Sequence, residues 1–227
     1  MTMQTPVSMP DAAQRDGQAS LRLPGWILIA SGIAMIVLLA MHPEDRAKDF
    51  TGVLHEEAAN RGIDAIVHGG FVLILAIQMA CYAIFSLRLS RAVNASIAGL
   101  VLFCFGAALL SGSTLIDGLA LPAIAAKYLA APAKIESART LFVFGGTMIS
   151  ILMPLGIGLQ SAGIVAWGIA LLRTGRRAVG LAGLVIGLAV PAAIIATIST
   201  MNPMVLMGGI AALALWGGIA GTTLIRG

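Results

Sequence analysis

The chain has 227 residues, 59% of them in the apolar set AVILMFWYC and only 11% charged, where a soluble domain carries about 25% charged residues. That composition excludes an ordinary soluble globular protein and points to a lipid bilayer as the solvent for most of the chain. The formal charge is +4, and no basic cluster stands free of the apolar segments, so nucleic acid is not an expected partner.

Residues 1–20 are polar and rich in Gln, Ser, Asp and Pro, which predicts a disordered cytoplasmic tail ahead of a transmembrane domain over 21–227. The apolar run 23–41 follows. Its end, Leu38-Leu39-Ala40, supplies no small-x-small cleavage pattern, so it reads as an uncleaved first spanning helix. A helix crossing a bilayer needs about 20 mostly apolar residues, and further runs lie at 66–87, 95–116, 141–172, 178–198 and 204–225. They are too long for strands and do not alternate, and an open sheet edge cannot face lipid. The expected fold is therefore all-α, a bundle of six transmembrane helices.

The fourth run is too long for a single upright span: at 1.5 Å per residue it extends roughly 48 Å, against a hydrocarbon core of about 30 Å. It is either one tilted helix kinked at Pro154 or two pieces broken at Pro154, Gly156 and Gly158. Charge favours one span. With six spans, the segments on the side of the termini hold eight arginines (Arg15, Arg22, Arg88, Arg91, Arg173, Arg176, Arg177 and Arg226) and two acids, Asp11 and Asp16, while the opposite side holds six bases and eight acids. Short cytoplasmic segments are enriched in Lys and Arg, so both termini are expected in the cytoplasm. The long loops 42–65 and 117–140 are then external. Ala123–Ala138 reads as an amphipathic piece at the interface, broken at Pro132.

Small residues four apart, Ala30/Ala34, Ala162/Ala166, Gly183/Gly187 and Gly217/Gly221, let helix backbones approach closely and are expected to pack within one bundle. Cys81 and Cys104 lie inside apolar runs, which argues against a disulfide. Trp26 reads as an interfacial anchor.

Polar groups inside a bilayer are the default functional candidates. Gln78 and Gln160 are the two amides deep in spans, expected to bond each other or to line a polar path, with Pro154 and Pro191 as hinges. No Asp, Glu, Lys or Arg lies deep in any run, which weighs against an ion-coupled pump. Three histidines, His42, His55 and His68, fall on the external side among Glu44, Asp45, Asp49, Glu56, Glu57 and Asp64, with Asp117 ending the third run on that side. Asp64 and His68 are four apart and share a helix face. A carboxylate on one imidazole nitrogen would leave the other free to bind a divalent metal, and haem between His42 and His68 is a further cofactor option. His55-Glu56-Glu57 lacks the second histidine of a zinc-protease motif, and neither GxSxG nor a phosphate-binding loop is present, so no catalytic residues are assigned.

The turn Ser86–Asn94, the segment Gly168–Gly175 followed by Gly180 and Gly183, and Trp216 resemble a group of bacterial six-helix membrane proteins defined only as a domain of unknown function. The resemblance spreads over most of 23–225 and implies the six-helix fold in a bacterial inner membrane, with no activity attached. The sequence thus favours a non-enzymatic membrane protein binding a protein partner or an apolar ligand. The alternatives are a metal or haem protein built on the external histidines, with Asp64 as the carboxylate, and a small transporter using Gln78 and Gln160.

Overall fold

The computed structural model describes residues 12–43, 47–89, 92–197 and 203–226. Its elements are α1 (Ala12–Ala40), α2 (Phe50–Arg88), α3 (Val93–Leu115), a π-helical turn (Ile116–Ala120), α4 (Leu121–Leu129), a short 3-10 turn (Pro132–Lys134), α5 (Ile135–Arg173), α6 (Arg177–Ala196) and α7 (Pro203–Arg226). No strand occurs among the described residues. Six helical stretches are long and apolar enough to cross a membrane, with the third formed by Val93–Leu129 taken together. Their outward faces carry large apolar side chains such as Leu73, Phe105, Phe144 and Val185. Water would not tolerate so extensive an apolar surface on a monomer, whereas lipid does.

The helices extend further than the apolar runs indicate. Residues 12–20, expected as disordered tail, are the first turns of α1; residues 1–11 lie outside the described residues, as do Glu44, Asp45, Arg46, Arg91 and Ile198. Much of the expected external loop 42–65 is the first part of α2, a helix of 39 residues. Its start is fixed by Asp49, whose carboxylate accepts the Gly52 N–H at 2.7 Å, and by Glu56, which accepts the Ala47 N–H at 3.0 Å. Capping of this kind satisfies donors that the first turn leaves unpaired. In 117–140 the helix continues to Leu129, and the chain turns at Ala130–Ala131 before Pro132. The fourth run is one unbroken helix, α5, with Pro154 inside it.

Close backbone approach sets the helix pairing. A Cβ on Gly25 would lie 2.6 Å from the Gly221 carbonyl oxygen, and one on Gly221 would lie 2.5 Å from that of Gly25. The next contact joins Gly32 to Ala214, so α1 and α7 run antiparallel. Gly99 against Gly163 and Gly106 against Gly156 bring α3 and α5 together in the same way, and Gly168 against Gly180 joins α5 to α6. The Gly217/Gly221 and Gly183/Gly187 faces are thus used inside the bundle. On α1 the partner face is Gly25/Gly32, while Ala30 points outward.

Two apolar cores result. The larger lies between the spans and includes Tyr82 stacked on Trp167 with ring centroids 4.7 Å apart, beside Phe85 and Phe103. Trp167 donates its indole N–H to Ser86 at 2.9 Å. The smaller is centred on Leu54, Ala125 and Ala138, with Phe50, Tyr128 and Phe142 packed around it. It joins the start of α2 to α4 and the start of α5, capping the end of the bundle remote from both described termini. The candidate site lies between these two cores.

Candidate functional site

The site is shaped by the π-helical turn. Pro122 has no N–H to donate to the carbonyl four residues back, and its ring crowds that carbonyl. The helix widens just ahead of it, and the Leu121 N–H reaches the Ile116 carbonyl five residues back. Turns of this kind recur at functional positions because they re-aim side chains without ending the helix. Here the turn carries Asp117 and Gly118 against α2. A Cβ on Gly118 would overlap the His68 ring, so the imidazole fits only because residue 118 is glycine.

His68 is buried, at 7% exposure. Its Nδ1 lies 2.9 Å from the Asp64 backbone carbonyl. A carbonyl only accepts, so Nδ1 carries the proton and the neutral ring keeps its lone pair on Nε2. That nitrogen lies 3.3 Å from Asp117 Oδ2. His42, just beyond the end of α1, repeats the pattern: its Nδ1 donates to the Pro43 carbonyl at 2.8 Å, leaving Nε2 as its lone-pair nitrogen. The two imidazoles meet edge to face, with centroids 5.0 Å apart and planes at 72°. One donor atom from each of His42, His68 and Asp117 lies within 4.8 Å of the others.

The structure therefore brings together two of the three histidines. Asp64 gives its backbone carbonyl to His68 at 2.9 Å and lines the same cleft, and a second carboxylate, Asp117, faces Nε2. His55 is exposed on α2, thirteen residues before His68 and so roughly 20 Å away along the helix. The contact between the His42 and His68 rings leaves no slot between them for a haem macrocycle. The sequence places Asp117 on the same side as the histidines without joining it to them, and the signal available was the run Asp117-Gly118 with Pro122 four residues after the glycine, inside an otherwise apolar helix.

Below the imidazoles lies a cavity of about 310 Å³ among α1, α2, α3, α5 and α7. Leu39, Phe71, Leu110, Ile149, Met153, Leu206, Met207 and Ile210 make it apolar, and His42, His68, Thr114 and Asp117 supply the polar atoms. The Thr114 hydroxyl is already committed to the Leu110 carbonyl at 2.8 Å. On the other side of the imidazoles a narrow polar cleft is lined by Pro43, Glu57, Asn60 and Asp64 together with His42, His68 and Asp117. The cluster thus forms the partition between a polar cleft and an apolar cavity.

The two intramembrane amides do not meet. Gln78 donates to the Ser31 hydroxyl at 3.1 Å and contacts Met35 Sδ at 3.2 Å, which ties α2 to α1. Gln160 is fully buried, and neither its oxygen nor its nitrogen has a partner among the described residues; it packs against Gly106 of α3. Pro154 and Pro191 lie inside α5 and α6. Cys81 and Cys104 are free thiols.

Compared with protein-family models, with curated proteins and with solved structures, the chain matches none.

Proposed function

We propose that this is a multi-pass membrane protein that binds a small amphiphile, holding its apolar body in the cavity and its polar head at His42, His68 and Asp117. One observation carries the reading: an apolar cavity of about 310 Å³ closes on two imidazoles and a carboxylate. That volume is at the small end of ligand pockets, whose usual form is an apolar wall with a few convergent polar groups. The arginine bias of the turns supports an orientation with both termini in the cytoplasm, and the short loops and the resemblance support a bacterial inner membrane; in that orientation the site faces the external side and takes its ligand from there or from the outer leaflet. The role is binding or accessory rather than catalytic.

The test is thermal unfolding of detergent-solubilised protein against short-chain carboxylic acids, alcohols and amines. A ligand at a hundred times its Kd stabilises by about 2.7 kcal/mol, and Ile149→Trp, which narrows the cavity, reduces the shift. A panel with no stabilising member, or an equal shift in Ile149→Trp, would contradict the reading.

A further inference from the structure

We infer that His42, His68 and Asp117 bind one divalent metal ion of the zinc class, with an open coordination position turned towards the apolar cavity. This deepens the amphiphile reading, on which it rests only for what fills the open position.

The first argument is the lone-pair arrangement. Backbone carbonyls of Asp64 and Pro43 hold the Nδ1 protons of His68 and His42. Both rings are thereby fixed in the tautomer that presents Nε2 as a donor, the usual second-layer support of a metal-binding histidine. His68 Nε2 faces the Asp117 carboxylate at 3.3 Å, a contact that requires a cation between them, either a proton on Nε2 or a metal ion. A proton would satisfy that one pair and leave His42 unused, whereas a metal ion takes all three donors.

The second argument is metric. Zinc bonds to imidazole and carboxylate are about 2.0 to 2.1 Å long, so two ligand atoms on a tetrahedron lie roughly 3.3 Å apart. The His68–Asp117 separation of 3.3 Å already has this value. The full set spans 4.8 Å, so a ligand atom must move inward by about 1.5 Å to reach the same tetrahedron. His42 is the ligand placed to move, since it sits beyond the last helical residue of α1, while His68 is packed between Gly118 and the rest of α2. Two imidazoles and one carboxylate are the ligand set of zinc and other borderline divalent ions, and three protein ligands leave a position open. The polar cleft lined by Glu57, Asn60 and Asp64 reaches the same imidazoles from the side opposite the cavity. The open position then accepts a lone-pair donor such as a carboxylate head group.

The experiment uses full-length protein in mild detergent, stripped with a chelator and titrated with Co²⁺ as a spectroscopic substitute for Zn²⁺, with no amphiphile added. The expected result is one Co²⁺ per chain with ligand-field absorption in the visible, displaced by one equivalent of Zn²⁺. His42→Ala and Asp117→Asn each weaken binding at least 10-fold, and His55→Ala leaves it unchanged. His42 lies at a helix end, so its variant keeps the inference testable where a His68 change would unfold the site. Wild-type protein that takes up no stoichiometric Co²⁺ would overturn the inference, as would binding that survives both His42→Ala and Asp117→Asn. Because the readout contains no amphiphile, such a failure leaves the cavity reading standing; stoichiometric metal with no stabilising amphiphile would remove that reading alone.

Discussion

Gly118→Ala adds one methyl group at the point where the π-helical turn meets α2. The new Cβ would overlap Cγ, Nδ1 and Cβ of His68. These are ring-root atoms of a buried side chain, so the overlap cannot be relieved by turning a flexible tip. Either the ring swings away or the turn separates from α2. The first route breaks the hydrogen bond to the Asp64 carbonyl, worth about 1 kcal/mol net. The second loosens a packed contact, and overpacking of this kind costs about 1–3 kcal/mol. Gly118→Ala should therefore lower stability in detergent by about 1–3 kcal/mol and abolish the Co²⁺ signal. The control is Gly146→Ala, where nothing lies within 4 Å of the added Cβ; with the same methyl group in open space it should stay within about 0.5 kcal/mol of the parent. Thermal unfolding followed by circular dichroism, with Co²⁺ titration on the same samples, separates the two. Equal stability and equal Co²⁺ binding in Gly118→Ala and the parent would refute the geometry drawn for the site.

Four more outcomes follow from the packing and the topology. Gln160→Met removes a buried amide that has no hydrogen-bond partner, so it should be neutral or stabilising by about 1 kcal/mol, whereas Gln78→Leu loses the bond to Ser31 and should cost about 0.5–1.5 kcal/mol; the reverse order in urea or thermal melts would contradict the hydrogen-bond assignment. Gly221→Val brings a side chain onto the Gly25 backbone, and since neither backbone can yield, α1 and α7 should separate, seen as loss of the monodisperse species on gel filtration; an unchanged profile would place the contact elsewhere. Pro122→Ala restores an N–H to the helix and removes the cause of the π-helical turn, so Asp117 should rotate away by about one residue's 100° and Co²⁺ affinity should fall, while unchanged affinity would show that the turn does not depend on Pro122. In a background lacking Cys81 and Cys104, a cysteine at Thr51 should react with an impermeant maleimide on intact cells and one at Thr174 should not; the opposite labelling would invert the orientation.

The six helices long and apolar enough to cross a membrane were legible because that property, length with apolarity, is one that a single sequence displays directly. The ends of the helices were not. Hydropathy sees only the part of a helix that meets lipid, so the start of α2, where Glu56, Glu57, Asn60 and Arg61 break the apolar run, read as loop although Asp49 caps a helix there. The continuity of α5 through Pro154 was likewise open, because a proline inside a membrane helix is compatible with a kink or a break, and packing decides between them. Of the site, the gathering of His42 and His68 followed from placing them at adjacent helix ends on one side. The choice of carboxylate did not. Asp64 is four residues from His68 and gives its backbone carbonyl to the ring, and the carboxylate facing Nε2 comes from a residue 49 positions further along the chain than His68. That pairing depends on a helix widened at Pro122 and on the missing side chain of Gly118, and no local spacing encodes it. His55 shows the converse: proximity in sequence to the acids placed it among the candidates, and the straight run of α2 carries it away from the site.

Native mass spectrometry of the protein released from mild detergent, comparing the parent with Ile149→Trp, reads whether the cavity beneath His42, His68 and Asp117 holds a small amphiphile. The expected result is a discrete adduct, a molecule with an apolar body and one polar head, abundant on the parent and depleted on the variant whose cavity is narrowed. A parent free of adducts after exposure to the whole amphiphile panel, or an adduct carried equally by Ile149→Trp, would contradict it.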